Sequence, residues 1–325
     1  MKCSICGNSD GNRPYRVLEM NLGTKEPFEY FQCSQCACLQ IARVPEDLAR
    51  YYPGEYVSMA FDENKYRGLK GSFRDLLCRS LMFPETPARK LVSFLIHPHK
   101  NLVSLKGLGI TRETRLLDVG CGKGKSMLYP LQRLGFRNIA GCDPYIPHEI
   151  QYDNGLTIFK KELADMEGSG SWDVITLHHS FEHIGNPLVT LKAVHRLLRP
   201  GGLCLIRIPT VSSFAWEHYG INWVQLDAPR HLFLHSHESI RHLADLSGLH
   251  LVDVTCDSNH FQFTASENYV RGIPLRDQKR GSGIGKIGWF MRRARLNRRA
   301  RELNRQRRGD QAAFLLQKSL ADAAE

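Results

Sequence analysis

One short stretch decides the fold predicted for this chain, Leu116-Leu117-Asp118-Val119-Gly120-Cys121-Gly122-Lys123-Gly124. Residues 116–119 have the apolar character of a buried strand, and residues 126–134 have that of a helix. The glycines therefore lie in the turn between the two elements. Glycine lets the backbone approach a ligand closely, and the amino end of a helix offers free N–H groups to it. The stretch predicts a cofactor loop in an α/β fold.

Short apolar runs alternate with helix-length segments from Arg115 onward, which is typical of a parallel sheet with crossover helices. Further strands are predicted at 138–142, 156–159, 172–177 and 202–208, with a helix at 187–198. Ser236 is a predicted N-cap for a helix that Gly248 ends, and strands follow at 249–254 and 312–316.

A second acidic residue favours a nucleoside-containing ligand. Asp143 follows the next predicted strand, 23 positions beyond Gly120, where a carboxylate can bind both hydroxyls of a ribose. A triphosphate loop is the alternative, because Gly124-Lys125-Ser126 follows Gly120. That spacing is one residue short of Gly-x4-Gly-Lys-Ser, and no obvious magnesium carboxylate follows the later predicted strands.

Four successive motifs resemble those of class I S-adenosylmethionine-dependent methyltransferases. They are residues 116–124, Gly141-Cys142-Asp143, residues 172–175 with Phe181-Glu182-His183-Ile184, and residues 197–202. Their order and spacing match the family across residues 115–210. The resemblance implies an α/β, Rossmann-like methyltransferase sheet of seven strands, with the last strand, at 312–316, antiparallel.

The same resemblance implies S-adenosyl-L-methionine as the cofactor and names the residues that would bind it. Gly120 and Gly122 would hold the methionine part, Asp143 the ribose, and the segment at Glu162 and Leu163 the adenine. The implied set is completed by Asp118, Cys121, Pro144 and His179. Pro130 departs from the family pattern, and we expect it to kink the helix after the loop without touching the cofactor.

The amino-terminal cysteines form two pairs, Cys3-x2-Cys6 and Cys33-x2-Cys36. Four thiolates complete the tetrahedral sulfur set that Zn²⁺ prefers and leave no open position on the metal. The pairs therefore predict a structural zinc site in a small zinc-knuckle domain. Cys38 is an alternative to Cys36 as a ligand. Redox-active thiols are the other interpretation, although no βαβ pattern surrounds either pair.

His183 is one candidate for a catalytic base, because it follows a central strand and imidazole titrates near neutrality. A loop histidine bonded to the backbone is the alternative. The run at 179–183 also spells H-x-x-E-H, a zinc protease signature that requires a helix, whereas Gly185-Asn186-Pro187 follows here.

His231 is the other candidate, in the polar segment at 223–232. This segment and the cysteine pairs resemble the sugar methyltransferase branch of the family, in which a Glu-His pair supports deprotonation of the sugar. His231 matches that histidine, and Arg230 replaces the glutamate. The exchange favours O-methylation of a hydroxyl over C-methylation of a keto sugar. Arg230 would hold a phosphate or carboxylate of the acceptor, or form an ion pair with Asp227.

The net charge is concentrated in one segment. The whole chain has 44 Lys and Arg against 33 Asp and Glu, or +11. Residues 271–308 hold fourteen Lys and Arg against Asp277 and Glu302, or +12, so the rest sums to 11 − 12 = −1. A basic helix in this segment could bind an anionic membrane, RNA phosphates or another protein. The alternative is a solvated helical insert without a partner.

The chain shows no run of signal-peptide type and no stretch near the ~20 apolar residues of a membrane-spanning helix. We therefore expect a cytoplasmic protein, peripheral to the inner face of the membrane through residues 281–308. The predicted parts are a zinc-binding domain at 1–50, a helical linker at 51–100 and a methyltransferase domain at 101–325, with the basic insert at 271–308.

The predicted activity is methyl transfer to a nucleotide sugar or a surface polysaccharide precursor, with O-methylation favoured. His231 is the first choice for the base and His183 the second. An RNA methyltransferase and a non-catalytic scaffold are the alternatives. Leu177-His178-His179-Ser180 differs from the Asn/Asp-Pro-Pro-aromatic loop that methylates base amino groups, and few aromatic residues interrupt the basic stretch.

Overall fold

The computed structural model describes residues 1–52, 68–83, 100–278 and 285–321. The strands are β1 Arg13–Leu18, β2 Pro27–Gln32, β3 Leu39–Ile41, β4 Leu116–Val119, β5 Ile139–Cys142, β6 Ile150–Gln151, β7 Thr157–Phe159, β8 Trp172–His178, β9 Leu198–Pro209, β10 Phe233–Leu234, β11 Leu249–Cys256 and β12 Gln311–Lys318. The α-helices are α1 Gly68–Met82, α2 Lys100–Val103, α3 Leu128–Arg133, α4 Pro187–Leu197, α5 Phe214–Tyr219, α6 His237–Ser247, α7 Phe261–Val270 and α8 Lys286–Arg305.

The chain divides into two compact units. The first unit comprises Met1–Pro53, Phe181–Lys192 and Ile206–Gln317, and the second comprises Gly54–Ser180, Ala193–Leu205 and Lys318–Glu325. Most of the predicted linker at 51–100 lies outside the described residues, and its part at 68–82 is helical. The predicted domain boundaries stay predictions.

The second unit contains the centre of a mostly parallel sheet. Its strands lie in the order β9, β8, β4, β5, β7 and β6. In the parallel register of β4, Leu116 lies opposite Val174 of β8 and Ile139 of β5. All four residues of β4 are buried, as expected for a strand covered on both faces. The predicted α/β fold with a mostly parallel methyltransferase-like sheet is confirmed.

The sheet that contains these strands has eight strands in total, whereas seven were predicted. Strand β12 is the other neighbour of β9, and β11 lies beyond β12. The strand that was not predicted is β6, which pairs antiparallel with β7. A turn at Tyr152 and Gly155 forms this hairpin, since Gly155 N–H donates to the Tyr152 carbonyl at 2.9 Å. A strand of two residues is too short to produce a readable sequence pattern.

The first unit contains a four-stranded antiparallel sheet in the order β1, β2, β3 and β10. Leu39 of β3 lies opposite Leu234 of β10, so residues near the amino terminus share a sheet with residues almost 200 positions later. Tyr30 and Leu39 are fully buried in this sheet. Its hydrophobic contacts therefore come from distant parts of the sequence.

Helix ends follow from local sequence signals. The Ser236 hydroxyl accepts from Ser239 N–H at 2.9 Å before α6, and Gly248 ends that helix with φ of +79°. Both predicted caps are confirmed. The helix after the glycine loop begins later than predicted, at Leu128, so Pro130 lies in its first turn. An N–H is not needed there for intrahelical bonding, so the expected kink is not required.

None of the described helices is both long enough and apolar enough to cross a membrane.

Candidate functional site

The glycine loop of the second unit has a backbone that only glycine adopts easily. Gly120, Gly122 and Gly124 have φ of +68°, +56° and +70°, values in the left-handed region that disfavours a Cβ atom. A Cβ on Gly120 would also lie 2.4 Å from the Cβ of Ser180. Both the backbone conformation and the available space therefore require glycine directly after β4.

Asp143 fixes the loop to the end of β5. Its Oδ2 accepts from Gly122 N–H at 2.8 Å, and its Oδ1 accepts from Tyr145 N–H at 2.9 Å. Burial raises the pKa of Asp143, and the two N–H groups oppose that shift. A carboxylate has about four lone-pair sites, so this group still has acceptor sites for the hydroxyls of a ribose.

Asp118 belongs to a buried polar network within the second unit. Its Oδ1 accepts from the Thr176 hydroxyl at 2.7 Å and lies 3.7 Å from His178 Nδ1, while His178 Nε2 is 2.6 Å from Ser104 Oγ. The carboxylate is thus held in place just before the glycine loop. We interpret Asp118 as a residue that positions the loop.

The other predicted cofactor residues differ in exposure. Cys121 and Pro144 are half-buried, Leu163 is buried, and Glu162 and His179 are exposed. Burial raises the pKa of the Cys121 thiol well above its usual value, so this side chain is a neutral thiol beside the loop. The role of all five residues in cofactor binding stays a prediction.

A cluster of titratable side chains lies in the first unit. Glu182, His183 and His231 each offer one ligand atom, and the three atoms lie within 4.8 Å of one another. Glu182 is fully buried and His231 is 5% exposed. Glu182 and His183 belong to a single 3-10 turn, so the H-x-x-E-H run is not a protease helix. The cluster has the donor types for either proton transfer or a divalent cation.

His231 is held in one tautomer. Its Nδ1 lies 2.8 Å from the Gln225 carbonyl oxygen, which can only accept, so the hydrogen is on Nδ1 and Nε2 has the lone pair. That Nε2 is 3.9 Å from Glu182 Oε1 and 3.7 Å from Asp227 Oδ2. Burial lowers the pKa of His231 to about 4, against the raising effect of both carboxylates. The ring is therefore neutral at pH 7.

His183 is the second histidine of the cluster. Its ring centroid is 4.8 Å from that of His231. Its Nδ1 donates to the Arg230 carbonyl at 2.8 Å, and the Tyr52 hydroxyl lies 3.2 Å from the same nitrogen. This backbone hydrogen bond is the structural role that the sequence had left open as an alternative to catalysis. It leaves Nε2 as the basic atom of His183.

Arg230 forms the ion pair with Asp227 that the sequence allowed. Its Nη2 lies 2.6 Å from Asp227 Oδ1 and 2.5 Å from Oδ2, and both side chains are largely buried. The guanidinium is therefore already bound to a carboxylate of the protein. In the structure this arginine stabilises the segment that presents His231.

Sequence reasoning gave no role to Glu182, although the residue was part of a quoted motif. The Leu232 N–H donates to the Glu182 carbonyl at 2.9 Å, and this long-range contact brings Glu182 to His231. The family pattern places the glutamate directly before the histidine, and Arg230 occupies that position here. The pattern therefore could not identify Glu182. Only its position in the Phe181-Glu182-His183 motif indicated that it follows a central strand.

The four predicted zinc ligands converge in the first unit. Cys3 Sγ is 3.6 Å from Cys36 Sγ, and Cys6 Sγ is 3.5 Å from Cys33 Sγ. Tetrahedral Zn²⁺ with Zn–S bonds of about 2.3 Å places sulfur atoms roughly 3.8 Å apart. The set therefore fits Zn²⁺, and the Cys38 thiol lies elsewhere, 4.0 Å from His235 Nδ1.

Cys3 also has the surroundings of a metal-binding thiolate. The Gln40 side-chain amide donates to its Sγ at 3.1 Å. The contact with Cys36 and further hydrogen bonds lower the pKa of Cys3 to about 4, against the effect of burial. Amide donors of this kind orient and stabilise thiolate ligands.

Comparisons with known proteins identify the family of the chain. A family model described as a methyltransferase domain matches residues 75–254. The ubiquinone biosynthesis O-methyltransferase of Cereibacter sphaeroides is 35% identical over 127 residues, 36% of this chain and 50% of its own length. The protein of the same name from a Caulobacter species is 34% identical over 120 residues, 34% of this chain and 47% of its own. This chain thus spans about half the length of these curated relatives.

A crystal structure of the Burkholderia thailandensis 1,6-didemethyltoxoflavin-N1-methyltransferase is 13% identical, with a TM-score of 0.40 over 78% of this chain and 92% of that chain. We draw no conclusion from a similarity at this level. The family model, in contrast, covers more than half of the sequence. The chain accordingly belongs to the methyltransferase domain family.

Proposed function

We propose that this enzyme transfers the methyl group of S-adenosylmethionine to a hydroxyl oxygen, with His231 as the base. The observation that carries the proposal is the orientation of this imidazole, whose Nδ1–H donates to a backbone carbonyl and whose Nε2 faces two carboxylates. The hydroxyl oxygen attacks the methyl carbon in line as the carbon–sulfur bond breaks. Because the sulfonium leaves as a neutral thioether, alignment and a proton acceptor are the main requirements.

The charges around His231 favour the transfer. A proton taken up at Nε2 makes the ring a cation, 3.7 Å from Asp227 and 3.9 Å from Glu182. At an effective dielectric constant of 20, each such pair attracts by about 4 kcal/mol. Arg230 offsets part of the contribution from Asp227, since it is bound to that carboxylate. Asp227 and Glu182 are therefore the two residues that we expect to stabilise the protonated ring.

We propose a sugar hydroxyl as the acceptor, in a nucleotide sugar or a polysaccharide precursor. The proposal is supported by the resemblance of residues 223–232 and the cysteine pairs to the sugar branch of the family. The relatives named ubiquinone biosynthesis O-methyltransferases suggest a competing acceptor, a precursor in that biosynthesis. Their names support O-methylation, and an acceptor assay distinguishes the two classes.

The test is transfer of a radiolabelled methyl group by the full chain. Nucleotide sugars, polysaccharide precursors, ubiquinone precursors and RNA are supplied side by side, and we expect label in a sugar fraction. His231→Ala should then lose most turnover and His183→Ala a smaller part, whereas the exposed His250→Ala serves as the matched control. Full turnover in both His231→Ala and His183→Ala would refute base catalysis by histidine. Label only in RNA or in ubiquinone precursors would refute the sugar acceptor.

Glu182→Gln tests whether this carboxylate acts through His231. Loss of its negative charge lowers the pKa of His231 further, so the acid limb of the rate–pH profile should move to lower pH while the maximum rate falls. A residue that only stabilises the fold would reduce the rate without moving the profile. An unchanged profile would therefore contradict the assignment.

A divalent cation on Glu182, His183 and His231 is the second candidate, because their ligand atoms lie within 4.8 Å of one another. A metal at this cluster would act as a Lewis acid on the acceptor hydroxyl and would occupy the nitrogen proposed as the base. Activity lost on chelation, and restored by Mn²⁺ while zinc stays on the cysteines, would assign the cluster to metal binding. Activity that survives chelation supports the histidine base.

A further inference from the structure

Helix α8 has one packed side and one exposed side. Ala300 and Leu303 are buried with Phe263 of α7, and Leu296 packs against them. Ile287 and Met291, in contrast, belong to the other side and are 78% and 66% exposed. The structure thus separates the apolar residues of this helix into two sets.

The exposed set is concentrated in the first two turns of α8. Phe290, which is 71% exposed, lies between Ile287 and Met291 in the sequence. Exposed apolar residues scattered singly are ordinary on soluble proteins. Three large ones at i, i+3 and i+4 on one helix form a continuous apolar surface, and such surfaces mark interaction sites.

The arginines of α8 also fall into two sets. Arg292 forms an ion pair with Glu267, and the Arg299 guanidinium lies 4.5 Å from the ring centroid of Phe214. Within the described residues, no ion pair is found for the exposed set Arg293, Arg295, Arg298, Arg301 and Arg305. Glu302 is the helix's one acidic residue in the sequence. The exposed side of α8 is therefore apolar at its start and positively charged along the rest.

A shallow depression of about 390 Å³ on the surface of α8 adjoins both the apolar part and the charged part of the helix. It is lined by Phe290, Arg293, Ala294, Asn297 and Arg301. Two guanidinium groups beside an aromatic ring match a phosphate group that is attached to an apolar chain, since arginine binds phosphate with two parallel hydrogen bonds.

We propose that α8 docks on an anionic lipid bilayer. Ile287, Phe290 and Met291 enter the interfacial region, and the arginines contact lipid phosphates. A basic helix with a separate apolar surface binds such membranes in this way. The exposed apolar side chains, of which only one is aromatic, argue against RNA, which is bound by stacking on aromatic rings. The concentrated positive charge argues against a second copy of this helix, because like charges would face each other.

The strength of the interaction can be worked out from the charges. Each cation near an anionic membrane surface contributes about 1 kcal/mol, so loss of three arginines should weaken vesicle binding roughly 100-fold. The same interaction is screened by salt, because the Debye length falls from about 30 Å at 0.01 M to about 3 Å at 1 M. Removal of apolar side chains should weaken binding at every salt concentration.

The experiment is flotation of the full chain with phosphatidylcholine vesicles that contain or lack phosphatidylglycerol. The charge variant combines Arg298→Gln, Arg301→Gln and Arg305→Gln, and its matched control combines Arg13→Gln, Arg16→Gln and Arg43→Gln. The apolar variant combines Phe290→Ser and Met291→Ser, and its control combines the exposed Leu69→Ser and Val189→Ser. Calorimetry with S-adenosylhomocysteine checks that each variant keeps its cofactor site.

We expect the wild type and both controls to bind only vesicles that contain phosphatidylglycerol. The charge variant should bind roughly 100-fold more weakly, and the apolar variant should also lose affinity. No binding by the wild type at low salt would overturn the proposal, as would equal binding by the charge variant. Tighter binding to RNA, or a dimer that the apolar variant abolishes, would also overturn it. Vesicle binding needs no methyl acceptor, so this result is independent of the proposed function.

Discussion

Replacement of Gly120 by alanine should damage the cofactor loop more than the same change at a glycine with open space around it. Gly120 has φ of +68°, and its added Cβ would lie 2.4 Å from Ser180 Cβ. Gly109 has φ of +66°, with no atom within 4 Å of an added Cβ. Gly109→Ala therefore isolates the backbone cost, and Gly120→Ala adds the collision.

The two costs can be estimated separately. A left-handed backbone with a Cβ costs roughly 1–2 kcal/mol, and this is the expected loss of unfolding free energy for Gly109→Ala. An overpacked contact typically costs a further ~1–3 kcal/mol, so Gly120→Ala should lose about 2–5 kcal/mol. Ser180→Gly removes the colliding Cβ and leaves the Ser180 Cα as the nearest atom, at 3.7 Å. In that background the Gly120→Ala cost should fall to that of Gly109→Ala.

The assay is urea unfolding of the wild type, the three single variants and the Gly120→Ala/Ser180→Gly double variant, together with calorimetry of S-adenosylhomocysteine. Because the loop or Ser180 must shift to relieve the 2.4 Å contact, Gly120→Ala should also weaken cofactor binding at least tenfold, or about 1.4 kcal/mol. Gly109→Ala should bind normally. Equal stability and equal affinity of the two alanine variants would refute the interpretation of the loop, as would a collision cost that Ser180→Gly fails to relieve.

Three further predictions concern single side chains. Burial raises the pKa of Asp310 from 3.8 to about 6, so the folded state holds this proton more tightly than the unfolded state does. The free energy of unfolding should therefore fall by roughly 2 kcal/mol between pH 4 and pH 6. Asp310→Asn should abolish this decrease in urea titrations. Cys36→Ser should reduce bound zinc, measured by atomic emission, from one ion per chain to near none, and Cys38→Ser should keep the ion. Zinc retained in Cys36→Ser, or lost in Cys38→Ser, would contradict the proposed ligand set. Asp143→Asn should weaken calorimetric binding of S-adenosylhomocysteine about 10- to 100-fold, because one of its two backbone donors then faces an amide N–H₂; wild-type affinity would exclude it from the ribose site.

The glycine loop and the cysteine pairs could be predicted because their constraints are local. The left-handed turn after β4 needs glycine whatever surrounds it, and its position relative to Asp143 follows from one crossover connection. A Cys-x2-Cys spacing likewise places two thiols on one turn. Only the convergence of Cys3 and Cys36, with 3.6 Å between their sulfur atoms, requires the tertiary fold.

The surroundings of the histidines could not be predicted, because they depend on contacts between distant segments. Glu182 reaches His231 through pairing of segments almost 50 residues apart, and no periodicity encodes such a register. Helix α8 shows the same limit in another form. Leu303 and Ile287 are both apolar residues of this helix. Which of them is buried depends on the position of α7, which packs on Leu303.

Glu182 also changes the argument about the type of methylation. The sequence favoured O-methylation because Arg230 stands where the sugar branch has a glutamate, and this assumed that the imidazole had no carboxylate partner. In the structure the Glu182 carboxylate lies 3.9 Å from His231 Nε2, and Arg230 is bound to Asp227. A carboxylate thus lies near the imidazole after all, and it comes from the end of a different strand. The proposal of O-methylation is therefore supported only by the names of the relatives, and Arg230 no longer argues against transfer to carbon.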